Sequence, residues 1–449
     1  MGLDLPAHDH RPGEIMAVGT RDSGSSRIHL TDQAHPGEPT MRWMSHASSI
    51  EGIEQELARI WANPEHMDDD PSHEGRHLAA RTSVMNLVVV AARPEIGEQS
   101  ADTISRLTGR HPSRTLIVLT ADPDGPPWLD ARIQAHCMLP RMDAPEVCSE
   151  LIFLTAGGQT GSHLAELVTP LLIHDLPVTV WWPGEPPLGG LPARELLEAT
   201  NRLVVDGSGW SGDGLRRLRE VAALIERDAG LAVRDFALVR QSRWREAIAA
   251  AFDVREFLPY LGSIRRISVT YATHDETGAP GSTNVVKPLY HVAWLASRLG
   301  LRVTSPLAPV EVRSRAAAPR LRPGERPPMH RGLAARLRDR GGEVAVVIRP
   351  VASTAPAGTT LRVEILAERR GSELRADVTA EAENVHVHTW LDGVQAMDRT
   401  FKAPRRADTD LLADALESAG RDQMELDAIR MAALLAGEPH PGAQLGAPD

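Results

Sequence analysis

The sequence has two cysteines, three tyrosines and five phenylalanines in 449 residues. Two cysteines exclude a disulfide-rich scaffold. No run approaches the roughly 20 apolar residues that a membrane helix needs. The N-terminus is polar, with Pro, Gly, His and Asp, and does not read as a secretory signal, so no membrane association and a cytoplasmic location are expected. Lysine is almost missing. Lys287 and Lys402 stand alone, arginine carries the basic charge, and the net charge of −11 argues against a nucleic-acid partner. Neither a Gly-x-Ser-x-Gly elbow nor a His-Glu-x-x-His pair occurs. No catalytic constellation, metal cluster or resident cofactor is therefore expected.

What is present is ordinary for a globular protein: 42% apolar and 24% charged residues. The length suffices for two or three domains. Residues 1–40, rich in Gly, Pro, Ser, His and Asp, read as an unstructured tail. In 41–80, Ile50, Ile53, Leu57, Ile60 and Trp61 fall at helical spacing, followed by an acidic linker. From 81 to 230 strands alternate with helices, with a hairpin about the Pro140–Pro145 turn. The pattern predicts an α/β domain with a mixed sheet and helices on both faces. From 231 to 449 strands follow one another through short turns, which predicts an α+β domain with a mainly antiparallel sheet. It contains an Arg/Pro-rich segment, 305–342, and ends in an amphipathic helix pair. Between Glu311 and Arg340 nine arginines face three acids, so this segment reads as a solvated linker or as an arm that steers an acidic partner.

Several motifs have both a structural and a chemical reading. Gly207-Ser-Gly209-Trp-Ser-Gly212 has dinucleotide-loop spacing, but it lies late in the strand order with Trp210 inside it, and a plain strand-to-helix turn is expected. Gly157-Gly-Gln-Thr-Gly161-Ser162 lacks the lysine of a phosphate loop and reads as a turn with Ser162 as helix cap. His386-Val-His388 puts two imidazoles on one strand face without further ligands. Cys137 and Cys148 are symmetric about the hairpin turn, which leaves open a redox pair or two buried thiols. In Val178-Thr-Val-Trp-Trp182 the adjacent tryptophans point to opposite faces of a strand. One or two of the nine tryptophans, such as Trp182 or Trp210, are expected at the surface as partner anchors.

Three stretches together resemble one family. They are His111-Pro-Ser-Arg114, Pro170-Leu-Leu-Ile-His-Asp-Leu-Pro-Val-Thr-Val-Trp-Trp-Pro-Gly184, and Ser242-Arg-Trp-Arg-Glu246 followed by Ala-Phe-Asp. With Ala293-Trp-Leu-Ala-Ser-Arg-Leu-Gly300, they are similar in order to the OpcA family of glucose-6-phosphate dehydrogenase assembly proteins of actinobacteria and cyanobacteria. The resemblance implies a non-catalytic activator that binds glucose-6-phosphate dehydrogenase and supports the oxidative pentose phosphate pathway and NADPH supply. It also implies thioredoxin control through cysteines in cyanobacterial members, and Cys137 and Cys148 are the candidate redox pair here. Its candidate partner-binding residues are His111, Pro112, Ser113, Arg114, His174, Asp175, Trp181, Trp182, Trp244, Arg245 and Glu246. A second expectation is a sugar-phosphate sensor or enzyme of the same pathway, with Arg114 holding the phosphate.

Overall fold

The computed structural model describes residues 38–62, 80–139, 141, 147–161, 163–274, 283–313, 329–339, 341–418 and 420–438. The expected N-terminal tail, the acidic linker, the Pro140–Pro145 turn, the Ser162 cap and the centre of the arginine-rich segment lie largely outside them.

The first sheet opens with β1 (Pro39–Ala47), which pairs antiparallel with β5 (Trp128–Met138). The sequence reading gave this segment to the tail and linker. Its mixed polar pattern is that of an edge strand, whose stability comes from its partner rather than from its composition. α1 (Ile50–Ala62) buries Ile53, Leu57 and Ile60 at three- and four-residue spacing, as its periodicity predicts. The short β2 (Ala80–Arg81) is followed by β3 (Met85–Ala91), every residue of which is buried. That is the signature of a parallel strand covered on both faces. α2 (Pro94–Ser105) leads to β4 (Ser113–Ala121), and β5 returns through the hairpin to β6 (Val147–Gly157). The short α3 (Gly158–Gly161) and α4 (Leu164–Val168) precede β7 (Val178–Trp182). α5 (Leu191–Glu198), β8 (Arg202–Val205), α6 (Leu215–Arg227) and β9 (Ala232–Asp235) complete the layer.

The order across the sheet is β1-β5-β6-β4-β3-β7-β8-β9, with β2 on β6. From β6 to β9 all neighbours are parallel. In chain order those six strands run 3-2-1-4-5-6, the arrangement of dinucleotide-binding sheets. β5 and β1 add the antiparallel edge that makes the sheet mixed, as expected. β9 extends the first domain past residue 230, where the sequence reading closed it.

After α7 (Phe236–Val239) and α8 (Ser242–Ala250), β10 (Ile264–Thr273) enters the second sheet. α9 (Val286–Leu299) ends at Gly300, whose φ of 67° makes it the expected left-handed stop. β11 (Arg302–Arg313), β12 (Met329–Asp339), β13 (Gly342–Ala352), β14 (Thr360–Arg369), β15 (Ser372–Glu381), β16 (Asn384–Leu391) and β17 (Val394–Lys402) follow. The order is β11-β12-β13-β10-β14-β15-β16-β17, antiparallel except for β10 beside β13. Most of the described arginine-rich segment is thus the β11–β12 pair rather than a linker. Its described prolines, Pro306 and Pro309, fall on the edge strand, where proline is tolerated within a sheet.

α10 (Asp408–Glu417) and α11 (Gln423–Ala436) turn back to the first half of the chain. Leu411, Leu412, Ala415 and Leu416 join Leu87, Val89, Trp181 and Phe236 on one face of the first sheet. The other face packs against α1, α4, α5 and α6 in the large core shared with the second sheet. Helices cover both faces as predicted, but one cover comes from the far end of the chain.

Candidate functional site

The predicted motif residues occupy two places. In the first, Arg114 on β4 places Nε at 2.5 Å from Glu150 Oε2 and donates from Nη1 to Leu171 O at 2.9 Å. Trp61 on α1 donates to the same Glu150. Arg114 is 9% and Glu150 0% exposed. The His111–Arg114 motif is therefore a clamp, which joins β4, β6, α1 and the turn that opens the Pro170–Gly184 stretch. It does not offer Arg114 to a phosphate, contrary to the second expectation; a guanidinium held by a buried carboxylate is already spent. Pro112 O accepts from Val84 N, and Ser113 shares a hydrogen bond of 2.9 Å with Thr115. His111 is largely buried beside Glu417 and Arg110. Its pKa is lowered, chiefly by burial, with Arg110 adding to and Glu417 opposing the shift.

His174 and Asp175 are exposed on the turn before β7, with Asp175 at a φ of 65°. Asn86, which composition gave no reason to single out, fixes that turn. Its amide donates to Ile173 O and Leu176 O and its oxygen accepts from Ile173 N. Trp181 and Trp182 point to opposite faces, and both are 4% exposed, so neither is an anchor at the surface. Trp181 meets Phe236 at 6.1 Å between ring centroids, while Trp182 and Trp210 enter the large core. The expectation that Trp182 or Trp210 is exposed fails because both pack into the large core shared by the two sheets. The exposed tryptophan is Trp128, on β5.

The second place is the seam between the two sheets, at the carboxyl ends of β8 and β9. In open α/β sheets that end carries the ligand crevice. Asp235 is fully buried and accepts from Gly207 N, Ala237 N and Tyr290 OH at 2.6–2.8 Å. Burial, with Asp206 nearby, pushes its pKa up to about 6 against these bonds. Asp206 takes a bond of 2.6 Å from Arg240, which also reaches Asp408 at 2.9 Å. Asn284 donates to Gly207 O and Trp210 O. A Cβ on Gly207 would stand 2.6 Å from Asp235 Oδ2, so glycine is needed here for packing. The Gly207–Gly212 turn is thus filled by Asp235 of β9 and by Asn284.

Behind it lies Ser242–Glu246. Trp244 packs at 5.1 Å on His291, and Arg245 donates to Leu238 O. Glu246 is exposed and paired with Arg243. His291 is 0% exposed and its pKa is lowered to about 3, first by burial and then by Arg245. Arg234 stands 3.0 Å from Glu425 and 3.2 Å from Asp422, which caps α11. Burial raises Glu425 to about 7, with Asp422 and Asp235 in the same direction and Arg234 and Arg245 opposed.

A dinucleotide would need the turn after β3, the first strand of the parallel order. Its glycine positions read Ala92, Pro94 and Gly97. Only the third is kept, where a Cβ would lie 3.3 Å from Ile117 in the close contact of α2 with the sheet. The first two, which let a backbone approach a pyrophosphate, are gone, and Glu95 puts a negative charge in the first turn of α2. These residues do not fit a dinucleotide phosphate.

Other groups stay apart. His386 meets Thr400 at 3.0 Å, whereas His388 faces Asp398 at 3.6 Å. No group of three or more metal-ligating side chains occurs among the described residues. Cys137 and Cys148 are direct cross-strand partners with Cα atoms 4.0 Å apart, joined as a disulfide. An open cavity of about 360 Å³ lies beside the Gly157–Gly161 turn, lined by Pro127, Gln159, Thr160, His163, Glu166 and Leu167.

Comparison with known proteins matches residues 104–223 to a glucose-6-phosphate dehydrogenase subunit N-terminal domain and 231–426 to the corresponding C-terminal domain. Curated relatives include the OxPP cycle proteins OpcA of Synechocystis sp. (28% identical over 204 residues, 45% of this chain and 40% of that one) and of Synechococcus elongatus (27% over 191 residues, 42% and 40%). The matched part is thus about two fifths of the length of these relatives. Comparison with solved structures gives matches that include the transcriptional regulator Gal80p of Kluyveromyces lactis (TM-score 0.41, 11% identity, 84% of this chain and 94% of that one). Another is the UDP-N-acetylglucosamine 3-dehydrogenase of Acidithiobacillus ferrooxidans (TM-score 0.40, 11%, 79% and 96%). With the two domain profiles in sequence over most of its length, and the motifs in place, the chain belongs to the OpcA family of glucose-6-phosphate dehydrogenase assembly proteins.

Proposed function

We propose that this protein is a non-catalytic assembly factor and allosteric activator of glucose-6-phosphate dehydrogenase. It would act in the cytoplasm and support the oxidative pentose phosphate pathway and NADPH supply. The observation that carries the reading is a dinucleotide-ordered sheet whose phosphate turn has Ala92 and Pro94 where the first two glycines would stand, in a chain matched by both domains of the assembly family. Such a scaffold acts by binding the active form of its partner more tightly than the inactive form. It needs an interface rather than a nucleophile. No described helix is long and apolar enough to cross a membrane.

The sugar-phosphate alternative loses its anchor with the burial of Arg114. Its remaining support is the cavity beside Gly157–Gly161. The test is co-purification with the dehydrogenase of the same organism, followed by its activity and oligomer size with and without this protein. Binding with a rise in activity or assembly supports the proposal. No binding and no change would sink it. A thermal shift with glucose 6-phosphate alone, in the absence of the dehydrogenase, would favour the sensor.

A further inference from the structure

The second sheet is amphipathic across its thickness. Ile267, Val269, Val346, Ile348, Val363, Ile365, Val378 and Val387 enter the core. The side chains that alternate with them face outward, and among the described residues no helix packs on that face. The cross-strand register sets them in rows. One row runs Arg336, Ala345, Arg266, Leu366, Arg375, Trp390 from β12 to β16. Arg375 lies 4.2 Å over the Trp390 ring, and His388 is 5.8 Å from the same ring. Arginine and tryptophan are among the residue types that anchor interfaces.

Charge on this face is divided by strand. On β12, β13 and β10 the outward positions hold Arg336, Arg338 and Arg266 against Glu343. On β14 to β17 they hold the exposed Glu368, Glu373, Glu381 and Asp398, and the buried Glu364 and Asp377, which are paired with Arg362. Against these acids stand Arg362, Arg375 and Lys402. One flank is net basic and the other net acidic, with Leu366 on β14 where the two meet.

We propose that this face is a self-association surface, closed by a second copy of the chain about a two-fold axis that lies in the interface and runs parallel to the strands near β14. An isologous contact presents the same patch twice. With the axis along the strands, the basic flank of each copy meets the acidic flank of the other. With the axis across the strands, like flanks would meet, which is repulsive. The size is adequate. Seven strands, each about 4.8 Å wide, and three rows, each about 7 Å deep, mark out roughly 700 Å² before side-chain relief. A stable interface uses about 800 Å² per partner. The inference is independent of the proposed activation of the dehydrogenase.

The test is sedimentation velocity of the full chain at low salt and at ~0.5 M salt. A dimer that weakens at high salt is expected. Arg336→Glu with Arg338→Glu makes both flanks acidic and should give monomer. Adding Glu381→Arg and Asp398→Arg reverses both flanks and should restore the dimer. All four positions are partly or largely exposed, and circular dichroism confirms that each variant is folded. A monomeric wild type, or a dimer indifferent to the first pair of changes, overturns the proposal. So does a monomer that nevertheless loses dehydrogenase binding with those changes, which would give the face to the enzyme instead.

Discussion

Glu425 is expected to destabilise the fold at neutral and alkaline pH, so Glu425→Gln should stabilise it. The carboxylate is 2% exposed at the start of α11, where that helix meets β9 and α9. Two effects oppose each other. Arg234 at 3.0 Å favours the charged form, and burial disfavours it. Burial prevails, and the pKa rises from 4.5 to about 7. A raised carboxyl pKa means that the folded state binds the proton more tightly than the unfolded state. The associated stability is fully present below pH 4.5 and is lost as pH rises through about 7. At 1.36 kcal/mol per unit, the lost amount above pH 8 is about 3 kcal/mol. Glutamine imitates the protonated form. The variant should therefore match wild type near pH 4.5 and exceed it by about 3 kcal/mol above pH 8. Urea unfolding followed by circular dichroism at a series of pH values reads this as a midpoint shift of about 1 M. Asp235, raised to about 6, slopes in the same direction in both proteins. A variant less stable than wild type by the same amount at every pH would refute the reasoning. It would show that the Arg234 pair outweighs the cost of burial.

Three further outcomes follow from the geometry. Trp181→Ala and Trp182→Ala should each cost about 3–5 kcal/mol by opening a cavity on opposite faces of β7; loss of dehydrogenase activation with unchanged stability in either would instead mark a surface role. Arg114→Met removes the guanidinium from buried Glu150 and should cost about 3 kcal/mol in urea unfolding, much of it recovered in Arg114→Met/Glu150→Leu. Reduction of Cys137–Cys148, or Cys148→Ser, opens a loop of sequence separation 11 and should lower stability by about 2–3 kcal/mol; equal unfolding with and without reductant, with two free thiols counted by mass spectrometry in the native protein, would show that the bond does not form.

Much of the fold was legible because it rests on local periodicity. The apolar run Met85–Ala91, the stop at Gly300 and the three- and four-residue spacing in Ile50–Ala62 each impose an element without reference to the rest of the chain. β1 and the β11–β12 pair were not legible. Their composition is polar, basic or proline-bearing, and their extended form is supplied by β5 and β13 through cross-strand bonds. The site fared likewise. His111–Arg114 and Pro170–Gly184 were visible as motifs, but not that Arg114 joins one to the other through Leu171 O. Asp235, Asn284 and Tyr290 carry no local pattern at all. They become a cluster because β9 and α9 meet at the end of β8.

The two tryptophans of β7 show where the division lies. Sequence alone determined that Trp181 and Trp182 face opposite ways, because side chains alternate along a strand. Only the tertiary structure decided that both are buried. Trp181 is covered by α10, more than 200 residues further along the chain, and Trp182 by the large core on the other side. Alternation is a property of the backbone and can be read locally. Cover depends on which distant apolar surfaces find each other, and no local pattern contains it.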